Sequence, residues 1–187
     1  MPRLKAVTMA DADGKARALL EGVQKKLGMA PNVMRTMANS PAVLEAYLGF
    51  SSALAKGFLS AKLRERIALA VGEANQCRYC LAAHSALGRA TELSDSEIAD
   101  SRAGCSADRK TGAAVAFARK LVSERGRVDD SDLERLHAAG FSEGDITEIV
   151  ANVAVNLFTN YLNHVADTEI DFPEVGAAEP VTACACG

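Results

Sequence analysis

Residues 63–90 read LRERIALAVGEANQCRYCLAAHSALGRA. Leu63, Ile67, Ala70, Val71 and Ala74 recur at helical spacing and predict one helix, opened by Ser60, whose hydroxyl is suited to cap it. Asn75–Gln76 interrupts that pattern, and a second helix begins at Cys77 and is expected to stop near Gly88. Arg64, Glu65 and Arg66 would ordinarily form the solvated face of the first helix. In the second helix Cys80 lies at i+3 from Cys77, and His84 lies at i+4 from Cys80, so all three share one face.

A cysteine pair at a helix start lies near unpaired backbone N–H groups and the positive end of the helix dipole. Both favour thiolate. A thiolate attacks a peroxide or a disulfide, and a neighbouring cysteine converts the resulting sulfenic acid to a disulfide. An imidazole one turn away is suited to pass protons near neutral pH. The spacing alone leaves three readings open: a redox dithiol, part of a zinc site, or buried cysteines without chemistry.

Outward from this hairpin the chain reads as helix almost throughout. Ala, Leu, Glu, Arg and Lys dominate, and runs of β-branched residues are scarce. Helices are expected near 12–27, closed by Gly28, and over 40–57, with Ser40 as cap, Pro41 as first residue and Gly57 as stop. Further helices are expected near 108–124 and 143–166. Two stretches, GRATELSDSEIAD and HAAGFSEGDITEI, echo each other as helix end, short turn, serine cap and acidic first turn. The echo hints at a repeated helix hairpin. One domain over 1–173 and an extended tail over 174–187 are expected.

Composition narrows the function. The 187 residues carry a net charge of −3, no Trp and 5 % aromatics, which argues against nucleic acid and anionic membrane as partners. The apolar run ITEIVANVAVNLFTNYLNHV carries Glu148, Asn152, Asn156, Asn160 and Asn163, too polar to span a bilayer. No signal-peptide pattern precedes the first acids. Five cysteines, an odd count, argue against an exported disulfide framework, and a cytoplasmic protein is expected. No G-x-G-x-x-G or P-loop pattern occurs, and no cofactor is expected. Cys105 follows Gly104 with no sequence partner, and Cys184 and Cys186 near the C-terminus have no evident role. His137 sits near a helix end. Asn160 and His164 share the polar side of the last long helix, suited to line a site or a subunit contact.

Glu65 precedes Cys77 by twelve positions, giving E-x11-C-x2-C-x3-H. This pattern, with the surrounding 63–90 stretch and residues 140–173, resembles the AhpD-like alkylhydroperoxidases of the carboxymuconolactone decarboxylase superfamily, in their peroxidase-related branch. The resemblance covers residues 30–173. It implies an all-α domain built from helix hairpins that forms a homo-oligomer (dimer, trimer or hexamer), with the site between helices near a subunit interface. It implies reduction of an organic hydroperoxide by a dithiol–disulfide cycle, with an external dithiol as reductant. Cys80 matches the peroxidatic cysteine, Cys77 the resolving one, and His84 and Glu65 the proton relay. Where the best-studied AhpD proteins carry a second histidine this chain has Tyr79, a poorer base with a pKa near ~10. Tyr79 is therefore either a relay member or a packed aromatic. Two other functions fit the same residues: a CxxC disulfide oxidoreductase with little peroxidase activity, and a zinc-stabilised helical binding module.

Overall fold

The computed structural model describes residues 1–176. Cys184 and Cys186, and most of the expected tail, lie outside the described residues. Among the described residues the regular structure is helical: α1 (Gly14–Leu27), α2 (Asn32–Met37), α3 (Pro41–Leu54), α4 (Ala61–Ala74), α5 (Arg78–Ala90), α6 (Asp95–Ala103), α7 (Arg109–Ser123), α8 (Asp130–Ala138) and α9 (Glu143–Ala166).

Helix starts follow the capping chemistry written in the sequence. Ser60 accepts from the Leu63 N–H at the head of α4. Ser94 and Ser142 form full capping boxes with Glu97 and Asp145, so both echoed stretches are indeed a helix end followed by a capped start. Asp129 and Asp132 build a third such box on α8. Two expectations shift. α5 runs past Gly88 to Ala90. The glycine lets Leu93 pack close, since a Cβ there would meet Leu93 Cδ1 at 3.2 Å and push it back slightly. α3 ends at Leu54, three residues before Gly57.

α4 is the centre of the fold and packs against α5, α6, α7 and α9. Its core stripe is wider than the sequence suggested, since every residue from Arg66 to Gly72 is buried. The face expected to be solvated is covered: Arg64 and Glu65 are half-buried, and the largest departure is Arg66. It is buried with its guanidinium on Glu97 and Ser106, because α6 covers that side of α4 and a buried arginine needs such partners. One core beneath α4, α7, α8 and α9 gathers Ile67, Val71, Phe117, Leu136 and Ile149. A second beneath α1, α2, α3 and α5 gathers Leu20, Met37, Leu44, Tyr79 and both cysteines of the pair. The cysteines therefore sit at the inner end of a hydrophobic core.

The extended segment after α9 completes that second core. Ile170 and Phe172 pack against it. The Asp171 carboxylate accepts from the Asn32 N–H at 2.7 Å and from the Tyr79 hydroxyl at 2.7 Å. No described helix is long and apolar enough to cross a membrane.

Candidate active site

The α4–α5 hairpin sets the site. Asn75 closes α4, and Gln76 adopts a left-handed backbone (φ 55°), a conformation unusual for a residue with a side chain. That turn delivers Cys77 to the N-cap of α5, where its sulfur accepts from the Cys80 N–H at 3.4 Å. The two sulfurs are 2.7 Å apart, both cysteines are free thiols, and both are buried.

Glu65 on α4 and His84 on α5 meet across the same hairpin. Glu65 Oε2 lies 2.8 Å from His84 Nδ1, and both side chains are about one-fifth exposed, at 19 % and 21 %. Burial works against a charge on His84. The negative charge and hydrogen bond of Glu65 outweigh it, and the imidazole pKa is raised above 6.5.

The thiols titrate as a pair, and the first proton leaves Cys77. Cys77 is held below the ordinary thiol range, first by the hydrogen bond between the two sulfurs. Burial opposes this, and the Cys80 N–H and the charge of His84 support it. Cys80 is pushed up by that same bond, by burial and by the charge on Cys77. Against this, Asn163 Nδ2 on α9 donates to Cys80 Sγ at 3.3 Å, and Asn160 adds a second carboxamide. Asn160 is oriented by Asn75, whose Nδ2 donates to its Oδ1 at 2.9 Å. The Asn160 Nδ2 and Asn163 Oδ1 atoms are buried and within ordinary hydrogen-bond distance of no partner among the described residues.

Tyr79 is buried, with its hydroxyl held between the Val33 N–H at 3.2 Å and the Asp171 carboxylate. Its ring is met edge-on by Phe172 at 5.9 Å. Neither hydrogen bond goes to the thiols or to the Glu65–His84 pair. Burial, which outweighs the Val33 N–H, raises its pKa, and Asp171 adds to the rise. A buried hydroxyl so partnered acts first as a brace between α5, α2 and the segment after α9.

Two participants went unrecognised in the sequence. Tyr47 on α3 lines the same cavity as Cys80 and His84. Its pKa is pushed up to about 12 by burial and then by the charges of Cys80 and Glu65. Nothing local marks Tyr47, because α3 reaches the site only through tertiary packing. Asn163 had a signal that was available. Asn152, Asn156, Asn160 and Asn163 recur at i, i+4, i+8 and i+11 and form one buried face of α9. The expected pairing of Asn160 with His164 splits. Asn160 is fully buried, and His164 is exposed on the rim of a different cavity.

A cavity of about 130 Å³ opens on the Cys80 side, lined chiefly by apolar residues that include Leu27, Met29, Met34 and Leu87, together with Tyr47 and His84. Among the described residues no group of three or more His, Cys, Asp or Glu side chains is arranged to hold a metal ion. Cys105, expected to lack a partner, is disulfide-bonded. His137 Nδ1 donates to the Phe141 carbonyl at 3.1 Å and its Nε2 contacts Glu143, remote in sequence from the thiols.

Residues 41–124 match the model of the carboxymuconolactone decarboxylase family. No protein in a curated set is similar enough to match. Among solved structures, an uncharacterised peroxidase-related protein with an AhpD core from Ralstonia eutropha JMP134 superposes with a TM-score of 0.82 at 27 % identity, over 91 % of this chain and 92 % of that one. A second uncharacterised peroxidase-related protein, from Silicibacter sp. TM1040, gives 0.77 at 26 % identity, over 89 % and 92 %. The debrominase Bmp8, solved with 2,3,4-tribromopyrrole as a cysteine variant, shares the fold at 22 % identity and TM-score 0.77, over 90 % and 91 %. The segment that matches the family model, α3 to α7, holds the thiol pair and the Glu65–His84 contact, so the chain is similar to the carboxymuconolactone decarboxylase family over that segment and to AhpD-like structures over about nine-tenths of its length.

Proposed function

We propose that the protein is a thiol-dependent peroxidase that reduces organic hydroperoxides. The observation that carries this reading is the Glu65–His84 contact at 2.8 Å beside a free thiol pair whose Cys80 faces an apolar cavity. Cys80 sulfur attacks the distal peroxide oxygen as its proton crosses the 2.7 Å gap to the Cys77 sulfur. Protonated His84, its charge supported by Glu65, gives a proton to the departing alkoxide, and the alcohol leaves. Cys77 then attacks the Cys80 sulfenic acid, forming the disulfide and releasing water. An external dithiol returns the pair to thiols.

Stopped-flow consumption of cumene hydroperoxide tests this. The native protein is expected to turn over and Cys80→Ser to lose turnover. Equal rates in the two proteins overturn the assignment.

One observation favours a second reading, a disulfide oxidoreductase with little peroxidase activity. Tyr79 stands where the best-studied relatives of this fold carry a second histidine, and its hydroxyl is occupied by Val33 and Asp171. An ordinary dithiol potential with negligible peroxide turnover selects this second reading. A zinc-stabilised module finds no support in the arrangement of the described residues, and stoichiometric zinc in anaerobically purified protein would restore it. We further propose that the chain acts as a homo-oligomer.

A further inference from the structure

The thiol pair lies between two cavities of opposite character. The apolar one, about 130 Å³, includes Cys80 in its wall and does not include Cys77. The other, about 800 Å³, includes Cys77 and does not include Cys80. Its wall is more polar than that of the first cavity and mainly acidic, with Asp167, Glu169 and Glu174 beside Arg78, Gln76 and His164, and Ile170 adding apolar surface. Tyr79 and Asn163 belong to both walls and so form the partition between them. We propose that the two half-reactions use separate entrances. The hydroperoxide enters the apolar cavity at Cys80, and a small polar dithiol reductant enters the polar cleft at Cys77. This rests on the reading that the pair cycles through a disulfide.

The chemistry suits this division. Disulfide exchange needs the incoming thiolate to approach one sulfur in line with the S–S bond, from the side remote from the other sulfur. For a Cys77–Cys80 disulfide, an approach to Cys77 from the polar cleft has Cys80 as the leaving group. The reductant thiolate bonds to Cys77 sulfur, the S–S bond breaks, and its electron pair goes to Cys80. Asn163 Nδ2, 3.3 Å from that sulfur, is placed to receive the new charge. The second thiol of the reductant then attacks its own bonded sulfur. It leaves as a cyclic or linked disulfide and frees Cys77 as thiolate. Cys77 is the better thiolate of the two, held at the helix N-cap by the Cys80 N–H. The left-handed Gln76 backbone makes the turn that brings Cys77 to the N-cap of α5, in the wall of this cleft. A wall of carboxylates, one arginine and polar side chains suits a neutral or cationic polar thiol carrier, whereas Met29, Met34 and Leu87 suit an apolar peroxide.

Two bulky substitutions separate the entrances, each at an exposed position that carries no part of the proposed chemistry. His164→Trp narrows the polar cleft, and Leu87→Trp narrows the apolar cavity. The disulfide is made with diamide, so its reduction by dithiothreitol is measurable whether or not the protein consumes peroxide. His164→Trp is expected to slow that reduction by about tenfold or more while leaving oxidation by cumene hydroperoxide within about twofold. Leu87→Trp is expected to do the reverse. In a Cys80→Ser background, labelling of Cys77 by the anionic disulfide DTNB should fall with His164→Trp and not with Leu87→Trp. Reduction untouched by His164→Trp, or both half-reactions slowed alike by either variant, overturns the two-entrance proposal. Loss of peroxide reactivity in the native protein with these reduction and labelling effects intact overturns the peroxidase reading alone.

Discussion

His84 carries a proton to higher pH than a free imidazole, and the largest cause of the rise is Glu65, with the Cys77 charge and Asn156 adding to it. Burial lowers its affinity for the proton, and Glu65 at 2.8 Å more than restores it. A histidine whose folded pKa is raised stabilises the fold fully below its unfolded value of about 6.5 and loses that contribution as pH climbs through the folded value. Glu65→Gln keeps a hydrogen-bonding group and removes the charge. Its thermal midpoint should fall most below about pH 6.5 and converge on the native midpoint at alkaline pH. A difference that stays constant across that range refutes the charge argument. The same variant should lower turnover by about 10²-fold, the usual scale for losing a tuned acid–base group. Asn163 makes a complementary prediction. In a Cys77→Ser background, Asn163→Leu removes the 3.3 Å donor to Cys80. One lost hydrogen bond to a charged group, about 1.5 kcal/mol, should cut Cys80 alkylation near neutral pH by about tenfold. An unchanged alkylation rate would show that the carboxamide does not support the thiolate. At this scale Cys77, Cys80 and His84 were legible on one face because their spacing lies within one helix, whereas Glu65 read as a solvated charge by pattern and was singled out only by the family resemblance. Tyr47 and the burial of Arg66 were not legible, because each depends on which helix covers it.

At the scale of elements, legibility followed chemistry that is local. Ser60, Ser94 and Ser142 announce their helices because a serine cap acts over three residues. α2 went unread because six residues give too few turns for a periodic pattern, and its position is set by Tyr79 and Asp171 bonding its first N–H groups. The turn between α3 and α4 shows how distant elements are joined. Glu148 on α9 accepts from the Phe58 and Leu59 N–H groups, at 2.8 and 3.1 Å. Gly57 leaves room for that carboxylate, since a Cβ there would overlap it. Gly57→Ala should therefore push Glu148 aside and strand the half-buried Leu59 N–H. The expected loss is about 1 kcal/mol, or about 2–4 °C in thermal midpoint for a chain of this size. Glu148→Ala should lose a similar amount, and the double variant should lose little more than either single one. Full additivity would show that the glycine and the carboxylate act separately.

Across the whole molecule, the helices bury the thiol pair under α9 and leave the outer faces of α3 and α9 apolar. Val43 and Phe50 are exposed one heptad apart on α3, and Phe158, Tyr161 and Val165 are exposed at i, i+3 and i+7 on α9. The two helices pack on each other, with the Tyr47 and Phe158 rings 6.3 Å apart, so α3 ties this outer surface to the cavity at Cys80. Tyr161 and Val165 are 57 % and 60 % exposed, and apolar side chains placed at regular helical spacing usually meet a partner. A second copy of the chain fits the occupant. Helix faces that repeat at i, i+3 and i+7 pair readily across a two-fold axis, and an isologous contact uses the same stripe twice. Sedimentation equilibrium should therefore find the native protein as a dimer or larger, and Val165→Asp with Tyr161→Asp should shift it to monomer. Because Phe158 bridges the stripe to Tyr47, the monomeric variant should also lose peroxide turnover in parallel with its dissociation. A native protein that sediments as a monomer, or a variant that stays assembled, would move the interface off α9.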